Sequence, residues 1–267
     1  MLLDNSKSIV QTISTWLSKT KFEIEFYGSS EINQKCIVDC LSVLKDFETP
    51  DGYSVIDDTI YILEHFEFDS TVATKSKGSK TRRETDRIGK DFGKTNPSSA
   101  NKSVLVKESY NINHSASNYI KNFLINANKH YTRIDSYIKN LDEQKKMGNI
   151  KNIKTGFFIE DKTILGNVYC ERVKVENLKV KNIPETKIAP TILCFTKQFL
   201  DWFTEKKKLD FCLCASNYGD KHFLWFINRE SINEYRKHEV NMESIEIIDF
   251  KPQVVGIKTL LESKDNT

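Results

Sequence analysis

The stretch Pro50-Asp51-Gly52-Tyr53-Ser54-Val55-Ile56-Asp57-Asp58-Thr59-Ile60-Tyr61-Ile62-Leu63-Glu64-His65-Phe66-Glu67-Phe68-Asp69 constrains the fold more than any other part of the chain. Two runs rich in β-branched and aromatic residues flank Asp57-Asp58, the pattern of a tight β-hairpin. With those two aspartates as the loop, Ile56 faces Thr59, Val55 faces Ile60, Tyr53 faces Ile62 and Asp51 faces Glu64. Two carboxylates then stand side by side on one face of a sheet. Like charges directly opposite destabilise a sheet, so such a pair calls for a cation between them. A four-residue loop over Ile56 to Thr59 keeps this register. A three-residue loop or a bulge would instead put Asp51 on the face of His65, Glu67 and Asp69. Asp51 and Glu64 are therefore the first choice as metal ligands, with Glu67 and Asp69 in reserve. Ile60, Ile62, Leu63, Phe66 and Phe68 are apolar on both faces, as in a central strand, where an unpaired carboxylate is costly.

Around this hairpin the chain alternates helix and strand. Ile9, Val10, Ile13, Trp16 and Leu17 recur at helical spacing, and Phe22 to Phe26 alternates like a strand. Ser29-Ser30 supplies a cap for a helix whose stripe is Ile32, Cys36, Ile37, Cys40, Leu41, Leu44 and Phe47, giving a helix over 31–47. A second stripe from Tyr119 to Leu141 predicts one long helix over 115–147 that stops at Gly148. Lys154 to Asp161 reads as a buried strand ending in two acids, Glu160-Asp161, which form a plain strand-end turn or add a carboxylate to the metal site. Val168 to Ile183 reads as half-exposed strands and 184–190 as a linker. Beyond it come a strand at Thr191 to Phe195, a helix through Phe199 to Phe203, strands at Phe211 to Ala215 and Phe223 to Ile227, a short helix near 230–238 and a strand at Ser244 to Phe250.

The net charge is only +3, but it is unevenly placed. Residues 75–107 hold ten Lys/Arg against three Asp/Glu, a local excess of +7 that leaves −4 for the rest of the chain. Lys75, Lys77, Lys80, Arg82, Arg83 and Arg87 lie in a Ser/Thr/Gly/Asn-rich stretch without apolar period, which reads as a loop. Cations there offset the repulsion between an acidic strand and a phosphate backbone, and point to salt-dependent nucleic-acid binding. Six cysteines lie mostly in apolar runs, where free cysteine packs as a small hydrophobe. Cys212-x-Cys214 with Cys194 and His222 lacks the usual zinc spacing. No run approaches the roughly 20 apolar residues of a membrane span, and the start Met1-Leu2-Leu3-Asp4 lacks the form of a signal peptide. A cytoplasmic location is expected.

Pro50-Asp51, twelve residues, then Glu64-His65-Phe66, set between two helices, resembles the PD-(D/E)XK nucleases of the restriction-endonuclease-like superfamily. The resemblance covers about the first 160 residues. It implies a mixed central sheet flanked by helices, with Asp51 and Glu64 holding Mg2+ or Mn2+ and DNA as substrate, RNA being left open. In that family a lysine two positions after the glutamate orients the attacking water, but here Phe66 takes that place. Lys77 is the nearest replacement cation, and Glu67 is an additional ligand or stands in for the lysine; reading the motif instead as the acid-x-acid run Glu67-Phe68-Asp69 requires the shifted register. Catalytic roles are thus expected for Asp51, Glu64, Glu67 and Lys77.

The expected organisation is an α/β protein with a core over 1–165, including a basic loop at about 70–107. A C-terminal α/β extension over 166–267 packs on the same sheet or forms a second lobe. The expected activity is metal-dependent hydrolysis of DNA phosphodiesters, in restriction or phage defence by analogy. The competing expectation is an inactive nuclease-like module that binds nucleic acid or a partner protein, with homodimerisation open.

Overall fold

A computed structural model describes residues 8–19, 24–69, 106–109, 112–144, 146–162, 169–170, 189–190, 193–218, 221–242 and 253–256. In chain order the helices are α1 (Ile9–Lys19), α2 (Glu31–Ser42), α3 (Ile112–Tyr131), α4 (Ile134–Glu143), α5 (Lys197–Glu205) and α6 (Ile232–Arg236). The strands are β1 (Lys45–Asp46), β2 (Gly52–Ile56), β3 (Thr59–Phe68), β4 (Val106–Ser109), β5 (Asn152–Asp161), β6 (Tyr169–Cys170), β7 (Ala189–Pro190), β8 (Phe211–Tyr218), β9 (Lys221–Asn228) and β10 (Gln253–Gly256).

Six of the strands form one mixed sheet in the order β1-β2-β3-β5-β8-β9. β1, β2 and β3 form an antiparallel meander, β3, β5 and β8 run parallel, and β9 returns antiparallel as a hairpin with β8. The protein is therefore of the α/β class, and β8 and β9 extend the sheet that the N-terminal strands begin. Two short antiparallel ladders, β4 with β10 and β6 with β7, complete the described strands. Among the described residues no helix is long and apolar enough to cross a membrane.

The hairpin takes the register read from the sequence, with Ile56 opposite Thr59, Val55 opposite Ile60 and Tyr53 opposite Ile62. Asp57 turns the chain with a φ of 53°, a left-handed conformation that aspartate tolerates better than most residues. Because side chains alternate along a strand, β3 and β5 each feed two cores. Ile60, Ile62, Phe66, Phe68, Phe157 and Ile159 pack beneath α3, α4 and α5. Leu63, Phe158, Phe211 and Leu213 pack beneath α1 and α2 through Ile9, Ile13, Trp16 and Ile37.

Capping follows the sequence at α2, where the Ser30 hydroxyl accepts from Asn33 N. Thr196 does the same for α5, from Phe199 N. The far end of α5 is tied to β9 by Arg229, whose guanidinium donates to the carbonyls of Phe203, Thr204, Lys206 and Leu209. A cation there also suits the negative end of the helix dipole. Cys194, Cys212 and Cys214 are buried.

Several boundaries differ from expectation. The helix expected over 31–47 ends at Ser42, and Lys45–Asp46 instead forms β1 on the edge of β2. Leu44 and Phe47 keep their apolar contacts after the helix has ended, so their spacing did not reveal the stop. The helix expected over 115–147 is two helices divided at Thr132–Arg133. Both lie on the same core, so the apolar period runs through the break. The strand expected at Thr191 to Phe195 is a single 3-10 turn, Leu193–Phe195; a short buried apolar run does not distinguish the two. In the strand expected over Phe22 to Phe26, Glu25 forms an isolated bridge to Trp225. The expected strand at Ser244 to Phe250 and most of Val168 to Ile183 lie outside the described residues.

Gly156 sits opposite Phe211 across the β5–β8 ladder. A Cβ there would come within 2.2 Å of the Phe211 ring, which is buried among its neighbours. Gly156→Ala is expected to destabilise the fold by about 1–3 kcal/mol, as overpacking does. Urea denaturation of the variant beside wild type measures this.

Candidate functional site

Two groups of titratable side chains occupy opposite faces of the β2–β3–β5 region. The first is the pair singled out by the hairpin. The β2–β3 ladder ends at Gly52 opposite Leu63, and one step further Asp51 meets Glu64. Asp51 N donates to Glu64 Oε2 at 3.3 Å, and His65 N donates to Asp51 Oδ2 at 2.7 Å. From the helical layer, Tyr137 on α4 donates its hydroxyl to Glu64 Oε1 at 2.7 Å, and His130 Nδ1 on α3 lies 2.7 Å from the same oxygen. The His130 ring is itself stacked on Phe66, with centroids 4.9 Å apart and planes 14° from parallel.

The structure therefore brings Asp51 and Glu64 together as expected, and surrounds them with donors. Glu64 is 6% exposed, so its oxygens depend on these partners. Burial, and then the charge of Glu64, push the Asp51 carboxyl up from 3.8 to about 6, against the lowering effects of His65 N and His130. Burial and the Glu64 bond hold the Tyr137 hydroxyl protonated well above its usual range.

The second group lies on the α1/α2 side of the same strands. His65 and Glu67 alternate with Glu64 along β3, so they project from the opposite face. Parallel pairing sets Glu67 directly against Glu160 of β5. Ligand atoms of His65, Glu67 and Glu160 lie within 4.8 Å of one another. Glu160 is 1% exposed. Its Oε1 accepts from Trp16 Nε1 of α1 at 2.6 Å, and its Oε2, which accepts no hydrogen bond of good geometry, lies against the Lys162 ammonium. Lys162 Nζ is also 3.6 Å from Glu67 Oε1. His65 Nε2 is buried, makes no hydrogen bond, and lies 3.9 Å from Glu160 Oε1.

Burial pushes the His65 imidazole below its usual range, although Glu160 and Glu67 oppose this. A neutral imidazole keeps a lone pair free to bind a metal ion. The side chains of Glu67 and Lys162 are 32% and 36% exposed, so this cluster opens to solvent on one side.

Glu67 thus stands apart from Asp51 and Glu64. The period of two that joins those residues on one face sends Glu67 to the other, where it meets His65 and Glu160. Lys77, and with it Lys75, Lys80, Arg82, Arg83 and Arg87, lies outside the described residues. Sequence reasoning missed Lys162, and for Glu160-Asp161 it offered a plain strand-end turn ahead of an added carboxylate at the metal site. The available signal was Glu160-Asp161-Lys162, an acid and a lysine two apart on a strand and hence on one face. Asp161 between them points the other way and accepts from the Tyr119 hydroxyl at 2.8 Å. His130 and Tyr137 were also missed, because they sit within helical periods that read as core. No protein-family model, curated protein or solved structure matches this chain.

The raised Asp51 carboxyl has a stability consequence with a definite sign. The folded protein binds this proton more tightly than the unfolded chain, so the contribution of Asp51 to stability is greatest below the unfolded value near 3.8 and declines as pH rises through about 6. Asp51→Asn removes that decline. The stability difference between Asn variant and wild type is expected to move in favour of the variant from pH 4 to pH 7, as read from urea midpoints across that range.

Proposed function

We propose that the protein is a metal-dependent phosphodiesterase acting on nucleic acid, with DNA as the first substrate to test and His65, Glu67, Glu160 and Lys162 as its reactive centre. The observation that carries this reading is the convergence of three ligand-type side chains from adjacent parallel strands, with a lysine beside them. The element order of helix, three-stranded meander, helices and parallel strand is compatible with a restriction-endonuclease-like core, though this centre lies on the opposite face of the sheet from Glu64 of that resemblance. Lys162 follows Glu160 by the two positions that separate glutamate and lysine in that family's motif.

A divalent cation fits this donor set, since the buried and unsatisfied Nε2 of His65 faces two carboxylates. The imidazole favours Mn2+ over Mg2+, which prefers oxygen ligands alone. The ion would neutralise charge at the attacked phosphate and acidify a bound water. The chain supplies the rest. Trp16 fixes one oxygen of Glu160, burial disfavours protonation of His65, and the half-exposed Lys162 offers a positive charge to an incoming phosphate.

A second reading, an inactive module that binds nucleic acid or a partner protein, draws on Phe66, whose ring stacks on His130 where the motif after Glu64 would place a lysine. The two readings separate in one assay. With Mn2+, wild type is expected to cleave plasmid or single-stranded DNA, Glu160→Gln to be inactive, and Lys162→Met to lose about 10²-fold or more in rate. Salt-sensitive DNA binding without metal-dependent turnover would favour the inactive module. Equal cleavage by wild type and Glu160→Gln would reject the centre.

A further inference from the structure

The hydrogen bond from His65 N to Asp51 connects the two groups across the sheet. β2 begins at Gly52, so on that side of β3 the ladder stops at Leu63. The next peptide hydrogen that β3 directs to this side belongs to His65, and Asp51 Oδ2 receives it at 2.7 Å where a strand carbonyl would otherwise serve. In return Glu64 Oε2 accepts from Asp51 N. Two side chains thus continue the β2–β3 pairing beyond its backbone end. Glu64 is held in turn by Tyr137 and His130 from the helical layer.

We infer that Asp51 is a positioning residue for His65: its carboxylate fixes the backbone from which the imidazole projects toward Glu67 and Glu160, and it is not itself a ligand of the ion. This inference rests on the proposed metal centre. A metal site tolerates only a few tenths of an ångström of misplacement in its ligands. β5 holds the peptide of His65 from one side, but on the β2 side it lies beyond the backbone ladder, and there the Asp51 bond is what fixes it. The assignment also gives the first-choice pair of the sequence a role that agrees with its surroundings, since Asp51 Oδ2 and both Glu64 oxygens already accept bonds from the chain.

Cobalt(II) titration of the full-length protein, read through its visible absorption, tests the assignment. Asparagine keeps an acceptor oxygen for His65 N but loses the charge, whereas alanine loses both. Asp51→Ala is expected to weaken cobalt binding by about tenfold or more, as loss of an outer support does, and to shift the absorption bands. Asp51→Asn is expected to stay within about threefold of wild type, the effect of exchanging a charged for a neutral acceptor in one hydrogen bond, with unchanged bands. If Asp51→Asn loses cobalt as Asp51→Ala does, the carboxylate is a ligand and the inference fails. Unchanged binding in Asp51→Ala also overturns it. Should Asp51→Ala not fold, the Asn variant decides alone: retained affinity and bands support the role, and their loss refutes it. His65→Ala and Glu160→Gln in the same titration isolate the underlying site. If both bind cobalt like wild type, the proposed centre itself is wrong, whatever Asp51 does.

Discussion

The parallel ladder between β3 and β5 is the constraint on which the rest of the structure depends. It runs the full length of both strands, from Thr59 opposite Asn152 to Phe68 opposite Asp161. Both strands are buried on two faces, and a one-residue slip would send every side chain to the wrong core. The register that places Phe66 and Phe157 in one core, and Leu63 and Phe158 in the other, also sets Glu67 against Glu160. The acidic cluster is thus a consequence of the same pairing that builds the two cores.

Charge burial is then managed differently on the two faces. On the α3/α4 side, Glu64 is satisfied by a tyrosine hydroxyl, a histidine and a backbone amide, so hydrogen bonds offset its desolvation. On the α1/α2 side, Glu160 has an indole donor and an ammonium group, while the nearby His65 Nε2 has no hydrogen bond. The oxygens of Glu64 already accept bonds from the chain, whereas the second cluster holds a buried imidazole nitrogen without a hydrogen bond and opens to solvent on one side. This contrast, more than proximity of acids as such, separates the two groups.

How far the site could be read beforehand depended on whether its geometry is local. Asp51 and Glu64 were legible because a two-residue turn transmits register by counting alone. The opposite placement of His65 and Glu67 followed from the same alternation. That Glu160 and Lys162 would lie beside Glu67 was not legible, because nothing near them in the chain states which strand they will pair with. Ninety-two positions separate Glu67 from Glu160, and only the parallel crossover brings them together. Trp16 is further still, and its indole reads in sequence as one more apolar position on α1. Boundaries such as the end of α2 and the break between α3 and α4 were obscured because apolar side chains keep the helical period whether or not the backbone remains helical.

The sequence alone therefore determined what short-range physics controls: the hairpin and its register, the Ser30 cap, the amphipathic stripes and the α/β alternation. Each depends on turn chemistry or on side-chain period within a few residues. Tertiary structure alone decided that Glu160 and Lys162 lie beside His65 and Glu67, and which donors satisfy Asp51 and Glu64. Those contacts join residues distant in the chain, and their geometry exists only once the sheet order and the helices covering each face are in place.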